Sequence, residues 1–309
     1  MASTNQTLTA IDGIKVGHAT NATARTGCTV LLCPDGATAG IDVRGAAPGS
    51  RETEAIRPGR LIQKVHAVLL TGGSAFGLDA AGGVVQYLEE KGIGFPVGPV
   101  HVPIVPAAVI FDLHVGDASV RPDKEMGYQA CLNATNEPVT MGAIGAGTGA
   151  TVGKAPGVTP SQGGVGSACK HLDNGLTVAA LVVVNALGNV VNPATGEVVA
   201  GGKIEGSFVD ITERLLDASI VPGTNTTIGV VATNATLSVA EATRVAEMAH
   251  DGMARAVRPS HTMFDGDTLF TLATGAHTGS SVNTIGILAA EVVTEAIVAA
   301  VTTSSVPNQ

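Results

Sequence analysis

The chain has 309 residues, enough for one large layered domain, and 45% of them are hydrophobic although only 3% are aromatic. With 40 glycines and no tryptophan, the core is expected to consist of closely packed Val, Ala, Ile and Leu side chains. The net charge of −9 and the scatter of the 17 basic residues argue against nucleic acid as a partner.

Membrane insertion and secretion are also disfavoured. No stretch of 18 or more uncharged apolar residues is present, and the N-terminus lacks a basic segment followed by an apolar one, so neither a spanning helix nor a signal peptide is expected. The cysteines show no CxxC pair and no zinc spacing, which predicts buried free thiols and a cytoplasmic protein. They are Cys28, Cys33, Cys131 and Cys169.

The first third of the chain begins with two short apolar runs, "CTVLLC" and "ATAGIDV". They flank Pro34-Asp35-Gly36, a turn signal that predicts a β-hairpin. The run "VHAVLL" then predicts a buried strand, and the glycine-rich segment "TGGSAFG" after it predicts a turn into a helix with Ser74 as its N-cap.

Later segments predict buried strands and two long helices. "TVAALVVVN" is a continuous apolar strand that ends at Asn185, and "IGVVAT" is a similar strand that follows a turn at Pro222-Gly223. Ser238 and Glu241 form a capping box at the start of a helix. "LFTLAT" predicts another strand, and residues 284–301 predict a closing helix. Paired strands followed by helices indicate a single α+β domain over residues 1–309.

The glycine-rich stretch 142–153 does not satisfy the known nucleotide-binding patterns. Thr148 and Ala155 occupy positions that a phosphate-binding loop needs as Gly and Ser or Thr, and Ala150 replaces the third glycine of the dinucleotide fingerprint. No nucleotide cofactor is therefore expected.

Two common hydrolytic arrangements fail as well. The nucleophile elbow G-x-S-x-G would need glycine where Phe76 stands, and no H-E-x-x-H pair is present. His261, Asp265 and Asp267 are spaced too loosely to predict a metal site, and a turn with solvated carboxylates is the simpler interpretation. An N-terminal threonine, whose own α-amine acts as the base, is a remaining strategy.

Five segments then occur in order over more than 200 residues: "LTGGSAFGLDAAGGV", "GAGTGATVGK", "VVVNALG", "NTTIGVVATNA" and "HTMFDGDTLFTLATG". With them, nearly the whole chain from "GIKVGHATN" onward resembles the DmpA-like aminopeptidase family of N-terminal-nucleophile hydrolases. That family includes β-peptidyl aminopeptidases and nylon-oligomer hydrolases. The resemblance implies a four-layer αββα sandwich, a homotetramer, and self-cleavage before the nucleophile.

Carried over position by position, the resemblance implies that Thr226 is the nucleophile, freed by cleavage of the Asn225–Thr226 bond into chains 1–225 and 226–309. It implies that the amide of Asn185 stabilises the oxyanion. From composition alone, Asn225-Thr226 is an ordinary junction between a turn and a strand, and Asn185 is a turn-forming residue.

Three further residues place the chain nearer the nylon-oligomer branch. Lys154 stands where the β-peptidyl enzymes tend to carry Tyr, and Asp265 and Asp267 also resemble the nylon-oligomer branch. The lysine would hold the hydroxyl of the nucleophile, and the carboxylates would bind the α-amine of Thr226 or polarise groups that do. A solvated lysine and a plain turn are the alternative interpretations.

Three functions follow from this sequence. The first is hydrolysis of small peptides, amino-acid amides or linear ω-amino-acid oligomers through an acyl-threonine, without cofactor or metal. The second is acyl transfer of the ornithine-acetyltransferase kind, although Asn225 stands where that group usually has Ala. The third is an unprocessed, non-catalytic relative.

Overall fold

The computed structural model describes residues 5–216 and 224–303, so the predicted turn at Pro222-Gly223 lies outside the described residues. These ranges contain both long strands and many strands of two or three residues. The strands are β1 (Lys15–Asn21), β2 (Thr26–Val43), β3 (Ser50–Arg51), β4 (Lys64–Thr71), β5 (Phe95–Val97), β6 (Val100–Val102), β7 (Ala107–Val109), β8 (Thr151–Val152), β9 (Ser161–Gln162), β10 (Gly164–His171), β11 (Thr177–Asn185), β12 (Asn189–Val191), β13 (Val198–Ala200), β14 (Lys203–Ile204), β15 (Ser207–Phe208), β16 (Thr226–Ala235), β17 (Val257–Arg258) and β18 (Thr268–His277).

The helices lie mainly in two pairs. Ser238 and Glu241 form the predicted capping box of the fourth helix, whose apolar stripe is buried as its 3.6-residue period requires. Short 3-10 helices occur at residues 8–10, 54–56, 74–79 and 145–147. The α-helices are α1 (Ala80–Glu90), α2 (Lys124–Leu132), α3 (Thr212–Leu216), α4 (Val239–Ala256) and α5 (Val282–Thr302).

A nine-stranded sheet organises the fold in the order β10-β11-β16-β18-β2-β4-β7-β3, with β1 paired to β2. The sheet has two halves, and the inner faces of these halves pack together around a shared apolar core. This core includes Leu31, Val68, Leu181 and Phe270. The other face is covered by α4 and α5 on one half and by α1 and α2 on the other. Helices, half-sheet, half-sheet and helices give the predicted four-layer αββα sandwich.

The predicted hairpin at Pro34-Asp35-Gly36 is wrong. Strand β2 runs through these residues as one strand of 18. Its pairing with β4 shifts from Leu32 to Ala37, so the extra residues form a bulge with Gly36 at φ +75°. Residues before the bulge pair with β1 and residues after it pair with β18. The turn signal therefore marks the bend that carries one strand across both halves of the sandwich.

The predicted helix after "TGGSAFG" exists, but Ser74 does not cap it. Ser74 has φ +54° and begins a 3-10 segment, with no side-chain cap bond at its start, and α1 begins only at Ala80. The glycines before Ser74 allow the backbone to turn sharply, so the chain reaches the helix through a tighter coil than the spacing suggested.

Burial explains the remaining apolar and thiol features. Within the described residues, α5 alone is long and apolar enough to cross a membrane, yet 61% of its most apolar window is buried inside the fold, where α5 packs on α4, β10 and β11. It is the helix expected over 284–301 and it serves as a core helix. All four cysteines are free and buried, as predicted.

Candidate active site

The site lies at the edge of the sheet where β11 ends and β16 begins. Asn185, the last residue of β11, is the register partner of Thr226, the first residue of β16. Because β18 runs parallel to β16, the turn that precedes β18 lies beside the residue that precedes Thr226, and Asn225 forms a bridge with Asp265. Strand register therefore brings the carboxylate turn to the Asn225–Thr226 bond.

The Thr226 hydroxyl lies against the peptide bond that precedes it. Its Oγ1 donates a hydrogen bond to the carbonyl oxygen of Asn225, and the backbone N–H of Gly266 donates to the same oxygen at 2.9 Å. Thr226 is 4% exposed. A Cβ on residue 266 would lie 3.0 Å from Thr226 Oγ1 and 2.7 Å from the carbonyl oxygen of Ala47, so glycine makes room for the hydroxyl. The carbonyl is thus held from two sides.

Lys154 reaches the site from the loop after β8. Its Nζ donates to Asn185 Oδ1 at 2.8 Å, to the Asn185 carbonyl at 3.0 Å and to the Thr224 carbonyl at 3.3 Å. Burial lowers the pKa of Lys154 to about 7, against the opposing attraction of the Asp265 and Asp112 carboxylates. Both protonation states of this amine are therefore populated near neutral pH.

Asn185 is fully buried and uses both ends of its amide. Its Oδ1 accepts from Lys154 and from the Thr151 N–H at 3.0 Å, while its Nδ2 donates to the Phe111 carbonyl at 3.1 Å. The backbone oxygen of Asn225 accepts hydrogen bonds from the Thr226 hydroxyl and the Gly266 N–H. The role of Asn185 as an oxyanion donor stays a prediction.

The two carboxylates of the turn hold different neighbours. Asp265 Oδ2 accepts from the N–H and the hydroxyl of Thr262 at 2.9 and 2.6 Å, and burial, followed by repulsion from Asp267, raises the pKa of Asp265. Asp267 Oδ1 accepts from the Thr227 N–H at 2.7 Å, one residue beyond Thr226. Asp267 therefore fixes the start of β16.

His261 supports Asp267 from the outside of the turn. Its N–H and its Nδ1 lie 3.1 and 2.8 Å from Asp267 Oδ2, and its ring packs edge-on against His250 with centroids 4.9 Å apart. Residues 5–216 and 224–303 contain no group of three or more His, Cys, Asp or Glu placed to hold a metal ion. His261, Asp265 and Asp267 are bound to protein groups in a turn.

Asp112 is a further residue of the site, in addition to those predicted from the sequence. It is 3% exposed, accepts from Thr26 Oγ1 and from the Gly73 N–H at 2.7 Å each, and burial raises its pKa. It follows Phe111, whose carbonyl binds the Asn185 amide. The sequence contains a signal for this residue, because Asp112 directly follows the apolar run "AAVIF" just as Asn185 directly follows "ALVVV".

A cavity of about 510 Å³ opens beside Asn225. Lys154 and Asn225 form one wall and apolar side chains form most of the rest. The segment "TGGSAFG" is connected to this region through Gly73, whose N–H donates to Asp112. The lining residues are Phe111, His114, Val115, Thr151, Lys154, Ala155, Pro156, Pro160, Leu187, Thr224 and Asn225.

Solved structures share this fold. An L-aminopeptidase D-Ala-esterase/amidase from Ochrobactrum anthropi, described as a variant of the Ntn hydrolase fold, matches with a TM-score of 0.74 over 96% of this chain and 85% of its own, at 19% identity. A β-aminopeptidase from a Burkholderia species matches with a TM-score of 0.69 over 96% and 86%, at 24% identity. These likenesses confirm the αββα architecture.

Relatives found by sequence have a higher identity to this chain than these two structures. An uncharacterised aminopeptidase of Mycobacterium leprae is 45% identical over 297 residues, which is 89% of this chain and 80% of the relative. A 6-aminohexanoate-oligomer endohydrolase of a Kocuria species is 32% identical over 313 residues, which is 93% of this chain and 84% of the relative. The model of peptidase family S58 matches residues 6–307. The chain therefore belongs to peptidase family S58 and is a hydrolase of peptide or amide bonds.

Proposed function

We propose that the chain cuts itself between Asn225 and Thr226 and then hydrolyses amide bonds with Thr226 as the nucleophile. The observation that carries this proposal is the position of the Thr226 hydroxyl against the Asn225 carbonyl, whose oxygen also accepts from the Gly266 N–H. A nucleophile in contact with its target and an oxyanion donor on the same oxygen are the two requirements of acyl transfer.

The cutting step conserves atoms and charge. Thr226 Oγ attacks the Asn225 carbonyl carbon, the C–N bond breaks, and the hydroxyl proton ends on the new α-amine of Thr226. Water then hydrolyses the ester and leaves a carboxyl group on Asn225. Lys154 lies within hydrogen-bond distance of the neighbouring Thr224 carbonyl, and its lowered pKa suits it to relay a proton near neutral pH.

In the mature enzyme the α-amine of Thr226 acts as the base, with an ordinary pKa of about 7.7–8.0. It takes the hydroxyl proton as Thr226 attacks the substrate amide, the amine product leaves, and water releases the acyl group. Asn185 and the Gly266 N–H are the donors for the oxyanion, and Asp267 holds the strand on which Thr226 lies.

The substrates proposed are small peptides, amino-acid amides or linear ω-amino-acid oligomers. The M. leprae relative is called an aminopeptidase and the Kocuria relative acts on 6-aminohexanoate oligomers, which supports both parts of this range. A homotetramer is proposed from the family resemblance, and a cytoplasmic location is proposed from the free cysteines. Light scattering of the purified protein tests the first, and cell fractionation tests the second.

Intact mass and N-terminal sequencing of the purified protein test self-cleavage. We expect two chains, 1–225 and 226–309, with a new N-terminus at Thr226. Thr226→Ala should stay uncut and inactive, with amide hydrolysis reduced by at least about a thousandfold, because no hydroxyl remains to attack. Thr226→Ser, which keeps a hydroxyl, is the matched control and should still cut. A wild-type chain that stays whole while Thr226→Ala keeps full activity contradicts the proposal.

A further inference from the structure

The carboxylate of Asp112 lies in a close-fitting space inside the fold. It is 3% exposed and accepts from the Gly73 N–H and from Thr26 Oγ1 at 2.7 Å each. A Cβ on residue 72 would collide with Asp112 Oδ2, and a Cβ on residue 149 would lie 2.8 Å from Asp112 Cβ. Both positions are glycine, so the backbone on two sides leaves room for this one side chain.

The two neighbours of Phe111 in the chain are both tied to the segment 71–74. Ile110 makes backbone hydrogen bonds of 2.8 and 3.0 Å to this segment, and Asp112 binds it through its carboxylate. The carbonyl of Phe111 itself accepts from Asn185 Nδ2 at 3.1 Å. The contacts of Ile110 and Asp112 therefore hold the Phe111 carbonyl in the direction in which it meets Asn185.

The partners of the Asn185 amide determine which way round it lies. The Thr151 N–H can only donate, so the atom that it contacts has to be Oδ1. The Phe111 carbonyl can only accept, so the atom that it contacts has to be Nδ2. An amide nitrogen has two N–H groups, and Phe111 takes one of them. The direction of the Phe111 carbonyl therefore also sets the direction of the second N–H.

We propose that Asp112 is a positioning residue for the Asn185 amide and that it acts through the Phe111 carbonyl. With Asp112 in place, the second N–H of Asn185 keeps one direction. Without it, the Phe111 peptide loses its anchor on the carboxyl side and the amide is free to turn. The inference rests on the proposed function for the use of that N–H as an oxyanion donor, whereas the link from Asp112 to Asn185 is testable in a chain that does no chemistry.

Two variants of Asp112 separate position from charge. Asp112→Ala removes both contacts of the side chain. Asp112→Asn is the matched variant, since its amide oxygen can accept from the Gly73 N–H while its nitrogen donates to Thr26 Oγ1. Each rate is taken at the maximum of its own pH profile, because Asp112 attracts the Lys154 ammonium and its loss moves the pKa of Lys154 downward.

Rates of self-cleavage and of hydrolysis give the first test. Self-cleavage is followed in time after cell-free synthesis of the full chain, and hydrolysis is measured on the processed protein with leucine p-nitroanilide. We expect Asp112→Ala to lower the self-cleavage rate and kcat at least about tenfold, with KM within about twofold of the wild-type value. Asp112→Asn should recover most of this loss. An Asp112→Asn variant as slow as Asp112→Ala, or an effect on KM alone, overturns the inference.

A double-mutant cycle tests whether Asp112 acts through Asn185. In an Asn185→Ala chain the donor is already absent, so adding Asp112→Ala should slow self-cleavage by no more than about twofold further. Two full losses that multiply in the double variant mean that Asp112 acts by another route, and they overturn the inference.

The same cycle in the free energy of unfolding keeps the inference separate from the proposed function. It is measured in Thr226→Ala chains, where no hydroxyl is present to cut. We expect Asp112→Ala to destabilise the chain less when Asn185→Ala is already present, because the two side chains support one linked arrangement. Ser167→Ala is the control, since this β10 hydroxyl is 4% exposed and makes hydrogen bonds of 2.9 and 2.7 Å to Leu8 and Ala180. Its effect should be the same with and without Asn185→Ala.

The outcomes of the unfolding cycle are distinct from those of the rates. Coupling between Asp112→Ala and Asn185→Ala supports the inference even if the wild-type chain neither cuts itself nor hydrolyses an amide, a result that would contradict only the proposed function. Strict additivity of the two substitutions overturns the inference even if the wild-type chain does both.

Discussion

Two buried regions of this protein use opposite chemistry. The core between the two halves of the sheet contains apolar side chains such as Leu181 and Phe270, both fully buried. The edge where β11 meets β16 is buried to the same extent, yet it contains Asn185, Asp265 and Asp267. Buried polar groups are costly unless each is paired, and here most of them are paired with one another or with backbone.

The difference shows what each region contributes. Apolar packing stabilises the fold in proportion to the area removed from water, without fixing any reactive geometry. Paired polar groups add little net stability, but each pair fixes a donor and an acceptor in place. Substitutions in the core should therefore change mainly the free energy of unfolding. Substitutions at the edge should change mainly the rates of the proposed self-cleavage and of hydrolysis.

Phe270→Ala should give the largest change in stability. Phe270 is the largest fully buried side chain, and its removal from the shared core should lower the free energy of unfolding by about 3–5 kcal/mol. Denaturant unfolding, followed by circular dichroism, measures this loss. Phe76→Ala, at a position 59% exposed, is the control and should change stability far less. Comparable losses in the two variants contradict the assignment of the core.

Asn185→Ala should give the largest change in rate after Thr226→Ala. The amide binds Lys154, Thr151 and Phe111. Loss of the proposed oxyanion donor should cost about 3 kcal/mol in the transition state, or roughly a hundredfold in kcat. Single-turnover cutting and steady-state hydrolysis measure this effect.

Asn185→Asp separates the two ends of that amide. The carboxylate keeps an acceptor for Lys154 and Thr151 but loses the N–H donor. If the donor matters, Asn185→Asp should be as slow as Asn185→Ala. Near wild-type rates in Asn185→Asp would show that only the acceptor oxygen is needed.

The sequence predicts the local features of both regions well. The Ser238–Glu241 capping box and the strand that ends at Asn185 depend on neighbours along the chain, and the structure confirms them. The family resemblance added Thr226, Lys154 and the two aspartates, and the structure places them together at one edge.

What the sequence did not predict depends on contacts between distant segments. The Gly266 N–H on the Asn225 carbonyl follows from the parallel register of β16 and β18, and Asp112 reaches Gly73 across 39 residues of chain. The bulge in β2 looked like a hairpin because Pro-Asp-Gly suits both, and only the pairing with β1, β4 and β18 decides between them.

His261→Ala should have a smaller effect on rate than Asn185→Ala. Its Nδ1 supports Asp267 Oδ2, but the His261 N–H also holds that oxygen and remains in the variant. We expect self-cleavage to slow by roughly tenfold, about 1.4 kcal/mol, while the KM of amide hydrolysis stays nearly unchanged. His261→Asn is the matched variant, since Asn tolerates the φ of +58° and can donate to Asp267. It should recover most of the rate, and failure to do so contradicts a role through Asp267.

The smallest expected effect is a pH dependence of stability caused by Lys154. Burial lowers its pKa from 10.5 to about 7, so between these values the unfolded chain binds one more proton than the folded chain. Stability should therefore rise with pH above 7, and the penalty for the buried charge is fully present below 7. Lys154→Met removes this contribution, because methionine fills similar space without a charge.

The comparison is sharpest in chains that stay uncut. In a Thr226→Ala background, the free energy of unfolding should rise between pH 7 and 8.5 on the order of 1 kcal/mol more with Lys154 than with Lys154→Met. Lys170→Met is the control, because Glu295 raises the pKa of that surface lysine and keeps its titration above this window. If the free energy of unfolding changes with pH in the same way for Lys154 and Lys154→Met, the Lys154 ammonium is solvated. Lys154 would then not belong to the buried polar groups at the edge where β11 meets β16.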